Sequence, residues 1–148
     1  MNKIEKEAPF QGKEREKLLV LLKETQEKSG YVPEEFIAET AQSLNISISE
    51  VYGVTTFYSF LSTKLLGRNV IRICQSLPCY LKNSQMIIKS MEDKIGIRPG
   101  ETTPDGKFSF ELTNCIGACD GAPAMLINSD VHVNLTPRKI SQILKSYK

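Results

Sequence analysis

The sequence predicts an α+β fold in which an N-terminal three-helix bundle is followed by an α/β domain with a mixed sheet. Two observations carry this prediction. In residues 1–66 the apolar side chains recur at helical spacing, whereas from residue 67 short β-rich runs alternate with helical segments. All four cysteines lie in the second part. The predicted domains are therefore residues 1–66 and residues 67–148.

Local signals define the three N-terminal helices. Residues 14–28 carry a dense stripe of leucines and end before Ser29 and Gly30. Pro33 opens a second helix, since proline is favoured at the first helical position. Ser47 followed by Glu50 forms a capping box for a third helix, whose apolar face runs over residues 51–61, with Gly67 at its end or in the linker that follows.

In the second part, the spacing of the apolar residues changes several times between the period of a strand and that of a helix. Strands are predicted at 70–73 and 108–112, and a helix at 80–95. Residues 124–127 and 131–133 read as a hairpin around Asn128, Ser129 and Asp130. A last helix begins at Thr136 and Pro137. This order predicts helices packed on a small mixed sheet.

Composition excludes several classes of function. The chain has 148 residues, 41% apolar and 24% charged, with a net charge of +2. No apolar run reaches the ~18 residues needed to span a bilayer, and the N-terminus lacks the apolar region of a signal peptide, so we predict a cytoplasmic protein without direct membrane insertion. Basic residues are too sparse for nucleic-acid binding. No Gly-rich phosphate loop is present, which predicts that this chain itself binds neither NAD nor flavin.

The cysteines form two tight pairs, Cys74 with Cys79 and Cys115 with Cys119. Four thiolates in two short loops can surround one metal centre. Structural zinc sites mostly pair cysteines two residues apart, whereas a [2Fe–2S] cluster takes two thiolates on each iron and suits loops of four and three intervening residues. Three alternatives stay open: a structural zinc, two disulfides, which a reducing cytosol disfavours, and a thioredoxin-type dithiol, which would need Cys-x-x-Cys.

The small residues Gly117 and Ala118 would let backbone N–H groups approach the sulfurs of the second pair. His132, the single histidine, lies in a predicted strand and is interpreted as structural and not as a ligand. No Ser/His/Asp set or other catalytic residue is predicted.

Both halves of the sequence also match a known family. The matching stretches are GYVP at 30–33, EVYGVTTFYSF at 50–60, the first cysteine pair, GETTPDG at 100–106, and NCIGAC at 114–119 followed by Ala122-Pro123. On these residues the chain resembles the thioredoxin-like [2Fe–2S] ferredoxins that form the small subunit of NADH dehydrogenases. Similar subunits occur in NAD-linked and electron-bifurcating hydrogenases and in NAD-dependent formate dehydrogenases.

The resemblance implies that the second domain is thioredoxin-like and that the [2Fe–2S] ligands are Cys74, Cys79, Cys115 and Cys119. It also implies a larger partner subunit that binds FMN and NAD(H), beside further Fe–S or catalytic subunits. The compact length favours a soluble host such as a hydrogenase over a respiratory NADH dehydrogenase. Many members have glycine where this chain has Ser76 and Asn83. Ser76 adds a hydroxyl that could bond a sulfur and shift the reduction potential, so the departure concerns tuning and not the identity of the cluster.

Overall fold

The computed structural model of the chain describes residues 12–147. The chain divides into two compact units between Leu65 and Leu66. The first unit contains three helices, α1 (Gly12–Ser29), α2 (Glu34–Ser43) and α3 (Ile48–Phe57). The second unit contains, in order, β1 (Asn69–Cys74), α4 (Leu77–Leu81), α5 (Ser84–Ile95), β2 (Phe108–Thr113), β3 (Met125–Ile127), β4 (Asp130–His132) and α6 (Pro137–Ser146). A single 3₁₀ turn, Cys119–Gly121, precedes β3.

The three helices of the first unit bury their apolar stripes against one another. The Ser47 side chain accepts a hydrogen bond of 3.2 Å from the Glu50 N–H, which confirms the predicted start of α3. The core residues of this unit, all buried, are Leu18, Leu22, Val32, Ile37, Ala41, Leu44, Val51 and Leu61. The predicted bundle is therefore present.

The third helix is shorter than its apolar pattern predicts. It ends at Phe57 because Tyr58 adopts an extended backbone, and a turn from the Tyr58 carbonyl to the Leu61 N–H then brings Leu61 into the core. Gly67 lies well beyond the helix, where its N–H donates to Ser109 Oγ at 2.7 Å. Leu61 therefore continues the apolar spacing without continuing the helix.

The sheet of the second unit is mixed, in the order β2-β1-β3-β4. Strand β1 runs parallel to β2 and antiparallel to β3, which pairs antiparallel with β4. Helices α5 and α6 pack on one face. The buried core there comprises Ile71, Ile73, Ile87, Ile88, Met91, Ile97, Phe108, Phe110, Met125, Ile127, Leu135 and Ile140. The predicted fold class, α+β with an N-terminal helical bundle followed by an α/β domain with a mixed sheet, is confirmed.

The predicted helix at 80–95 is wrong in one respect, because the structure has two helices there. Asn83 adopts the left-handed conformation, with φ 71° and ψ 35°, and separates α4 from α5. Asparagine tolerates this conformation better than most residues. The break lets α5 face the core with Ile88 and Met91, while α4 turns Cys79 toward a separate cluster of buried side chains.

The predicted hairpin is present with a tighter turn than expected. Ile127 pairs with Asp130, so only Asn128 and Ser129 form the connection and Asp130 belongs to β4. Asn128 supplies the positive φ of 55°. Among the described residues no helix is both long and apolar enough to cross a membrane.

Candidate metal centre

The strand register brings the two cysteine pairs to one edge of the sheet. Cys74 is the last residue of β1 and pairs with Thr113, the last residue of β2. Because these strands are parallel, both leave the sheet at the same edge. Cys79 follows in α4, Cys115 lies two residues beyond β2, and Cys119 opens the 3₁₀ turn. The four cysteines of the sequence thus belong to loops that start from neighbouring strand ends.

The first pair is buried. Cys74 is 1% exposed and Cys79 is 2% exposed, and both pack against Ala124. The Cys74 N–H donates to the Ala124 carbonyl at 3.1 Å, which ties the end of β1 to the start of β3. The half-buried side chains around this cluster are Ile116, Ala118, Ala122 and Val133. The apolar surroundings exclude water from these two sulfurs.

The second pair is exposed. The Sγ atoms of Cys115 and Cys119 lie 3.3 Å apart, and the Gly117 N–H donates to Cys115 Sγ at 3.4 Å. Gly117 has φ +81°, a conformation that favours glycine. The predicted approach of a backbone N–H to a sulfur is confirmed at Gly117. The candidate centre therefore has a solvent-exposed side at Cys115 and Cys119 and a buried side at Cys74 and Cys79.

The thiols influence one another's protonation. Burial raises the pKa of Cys79, with smaller raising contributions from Cys74 and Cys119. The hydrogen bond with Cys115 raises the pKa of Cys119, and the Gly117 N–H lowers the pKa of Cys115. Because Cys79 also senses the charges of Cys74 and Cys119, the two pairs lie close enough to interact. Several thiolates at this place need a cation to balance them.

The donor set fits a centre with two metal positions. All four cysteines are free thiols, and 3.3 Å between Cys115 and Cys119 is far longer than the ~2.05 Å of a disulfide. Two thiolates on one tetrahedral metal ion lie about 3.8 Å apart, given metal–sulfur bonds of ~2.3 Å. Two separate pairs match a cluster with two thiolates on each iron.

Two expectations about neighbouring side chains have different outcomes. Ser76 begins α4 as its N-cap residue but makes no side-chain capping bond, and no bond from its hydroxyl to a sulfur is found. His132 lies in β4, and its Nε2 is 3.0 Å from Tyr147 Oη. Since the Tyr147 hydroxyl donates to Asp130 at 2.8 Å, the hydrogen between His132 and Tyr147 belongs to Nε2. His132 therefore fastens the end of the chain to β4.

The protonation of His132 is a testable consequence. Burial lowers its pKa first, the charge of Lys139 lowers it further, and Asp130 raises it. The unfolded imidazole takes up a proton near pH ~6.5, whereas the folded structure disfavours its protonation. The contribution of His132 to stability is therefore present above that pH and is lost as the pH falls through the pKa of the folded state. In an NMR titration of the single histidine, we expect a midpoint below ~6.5 and a lower one still in Asp130→Asn. A midpoint at or above the unfolded value would contradict the assigned burial.

Sequence reasoning missed a close contact behind the second pair. A Cβ on Gly121 would lie 2.6 Å from Val133 Cβ, so the turn that carries Cys119 packs directly on the segment after β4. The Asn134 N–H also donates to the Gly121 carbonyl at 2.6 Å. Glycine in a cysteine-rich loop was the one available signal, and it does not identify its contact partner.

The fold and the paired free cysteines define a class of protein, the small iron–sulfur electron carriers. Comparison with known proteins identifies the family within that class. The profile of the thioredoxin-like [2Fe–2S] ferredoxins matches residues 1–148, and the chain belongs to this family. Membership confirms the predicted family, the [2Fe–2S] cluster as cofactor and electron transfer as the function. The assignment of individual cysteines as ligands stays a prediction.

Curated relatives match most of the chain. A subunit of the NADH-quinone oxidoreductase of Escherichia coli (strain K12) is 43% identical over 127 residues, covering 86% of this chain and 76% of that protein. The corresponding subunit of Buchnera aphidicola from Acyrthosiphon pisum is 38% identical over 148 residues, covering 100% and 91%. That of Aquifex aeolicus is 33% identical over 145 residues, covering 98% and 91%.

A solved structure supports the fold independently. The air-oxidized NAD⁺-reducing [NiFe]-hydrogenase superposes with a TM-score of 0.70 at 21% identity, over 86% of this chain. This chain spans 22% of the length of that hydrogenase chain. At this identity the likeness concerns the fold.

Proposed function

We propose that Cys74, Cys79, Cys115 and Cys119 hold one [2Fe–2S] cluster, and that the chain is the small electron-transfer subunit of an NAD(H)-linked oxidoreductase. The observation that carries this proposal is the arrangement of four free thiols as two pairs at one sheet edge, one pair buried and one exposed. When bound, the cluster supplies storage for one electron at a time.

The two cysteine pairs and Gly117 have different roles in this proposal. Cys74 and Cys79 anchor the centre in a dry apolar cluster, which holds its geometry fixed. Cys115 and Cys119 place the other side at the surface, where a partner can approach. The Gly117 N–H donates to a sulfur and so stabilises negative charge on it.

The proposed partner is a larger subunit that binds FMN and NAD(H), from which this chain accepts or to which it returns single electrons. Relatives named as subunits of NADH-quinone oxidoreductase support a multisubunit host. We also propose residues 1–66 and 67–148 as the two domains, supported by a separate apolar core in each unit. A cytoplasmic location is proposed as well.

The direct test is the iron and acid-labile sulfide content of anaerobically purified protein, with EPR before and after dithionite. We expect two irons and two sulfides per chain, no EPR signal when oxidised and a spin-one-half signal when reduced. One zinc per chain without sulfide would overturn the proposal and favour the structural zinc module. Metal-free protein with titratable thiols would favour the disulfide protein.

Docking near the centre gives a second expected outcome. Leu77 and Leu81 are 67% and 73% exposed and flank Cys79 on α4. Because electron transfer weakens steeply with distance, we expect the partner to cover this helix. Burying one leucine contributes ~1.5–3 kcal/mol, so Leu81→Gln should weaken assembly about tenfold or more, with iron content unchanged. Val131→Gln, on the edge strand β4, is the control. Equal co-purification of the partner with both variants would contradict this surface.

A further inference from the structure

We infer that the charges of Arg72 and Glu111 shift the reduction potential of the cluster in opposite directions, and that their ion pair balances the two shifts. Arg72 Nε donates to Glu111 Oε2 at 2.9 Å and joins β1 to β2. This inference rests on the proposed ligation by Cys74 and the other three cysteines. It assigns a function to two charged residues that lie outside the proposed set of ligands.

The strand geometry places this pair beside the first ligand. Side chains alternate between the two faces of a strand, so Arg72 and Cys74 share a face of β1, two residues or ~6.6 Å apart along the strand. The burial of their neighbours agrees, because Ile71 and Ile73 belong to the core under α5 and α6 whereas Cys74 belongs to the cluster with Ala124. Arg72 therefore lies on the cysteine side of the sheet.

The partner carboxylate lies on the same face. Glu111 is directly opposite Arg72 in the register, and Thr113 is opposite Cys74. Phe108 and Phe110 of the same strand belong to the core on the other face. Both charged residues thus lie two positions before the last residues of β1 and β2, the two strands that lead to Cys74 and to Cys115.

Partial burial lets these charges act over the distance that separates them from Cys74. The side chains of Arg72 and Glu111 are only 18% and 31% exposed. Charges that are mostly removed from water interact more strongly, and salt screens them less, than charges on the surface. Surface lysines of the chain act through solvent, whereas this pair acts largely through protein.

The sign of each contribution follows from the electron count. Reduction adds one electron, hence one negative charge, among the four thiolates, and no bond is made or broken. The Arg72 cation stabilises the reduced state and raises the potential, while the Glu111 anion opposes it. In the pair the two effects largely cancel, so removing one partner exposes the full effect of the other.

Potentiometric EPR titration of the cluster-loaded full chain tests the inference. We expect Glu111→Gln to shift the potential upward, Arg72→Gln to shift it downward, and the double variant to return close to wild type. Arg72→Lys keeps the charge and should retain the wild-type potential. The matched controls are Lys89→Gln and Asp93→Asn, exposed residues of α5, which packs on the opposite face, and these should leave it unchanged.

A purely structural ion pair predicts another pattern. Both single variants would then lower the denaturation midpoint while the potential stays at the wild-type value, and that result overturns the inference. If a single variant fails to fold, Arg72→Lys and the double variant still separate charge from structure: a double variant displaced as far as either single variant also overturns it. Wild-type protein without an EPR-active cluster would instead refute the proposed function.

Discussion

Serine in place of Cys79 is expected to leave the purified chain with little bound iron. Cys79 is 2% exposed and packed against Ala124, so this proposed ligand is also part of a dry pocket. A serine hydroxyl is a poor ligand for iron, and without metal it would be a buried polar group that costs ~1–3 kcal/mol. The affinity for the cluster should fall by more than the ~10–100-fold seen when only a supporting group is altered. Iron, sulfide and visible absorbance per chain measure it.

The other three proposed ligands provide a graded comparison. Cys74→Ser should behave like Cys79→Ser, since its sulfur is equally buried. At the exposed positions, Cys115→Ser and Cys119→Ser place the hydroxyl in contact with water. These two variants are therefore expected to retain more cluster than the buried ones, with an altered reduction potential. His132→Ala is the control that retains iron. A single cysteine variant with unchanged iron, spectrum and potential would show that this residue is not a ligand.

Much of the site could be predicted because its information is local. Four cysteines in two short loops restrict the chemistry whatever the fold, and the strand patterns before Cys74 and Cys115 place both pairs at strand ends. The capping residue Ser47 and the hairpin residue Asn128 are likewise recognisable, because each satisfies a local backbone requirement.

What the sequence did not predict depends on contacts between distant residues or on single backbone conformations. The apolar period of residues 80–95 continues across Asn83, so only its left-handed conformation shows that α4 and α5 are separate helices. The pairing of Arg72 with Glu111 requires the register of two strands that lie 39 residues apart along the chain. A one-residue shift of that register would turn Glu111 to the other face.

Alanine at Gly121 is expected to destabilise the turn that carries Cys119. The added Cβ would lie 2.6 Å from Val133 Cβ and 2.9 Å from Val133 Cγ1, which is closer than packed carbons approach. The turn or the segment after β4 must then move, at a cost of ~1–3 kcal/mol for an overpacked site. Since the Gly121 carbonyl also accepts the Asn134 N–H, the strain falls on the second cysteine loop. We expect a lower denaturation midpoint together with faster loss of visible absorbance on exposure to a chelator.

Gly53→Ala is the matched control because Gly53 lies inside α3 with nothing within 4 Å of the added carbon. Removing glycine from a helix interior stabilises by ~0.5–1 kcal/mol, so this variant should unfold no earlier than wild type and keep its cluster. Val133→Gly removes all three atoms that the new carbon would meet, and in the double variant with Gly121→Ala it should restore cluster retention. If Gly121→Ala alone kept its cluster as long as Gly53→Ala does, the close packing of the Cys119 turn on Val133 would not control the exposed half of the centre.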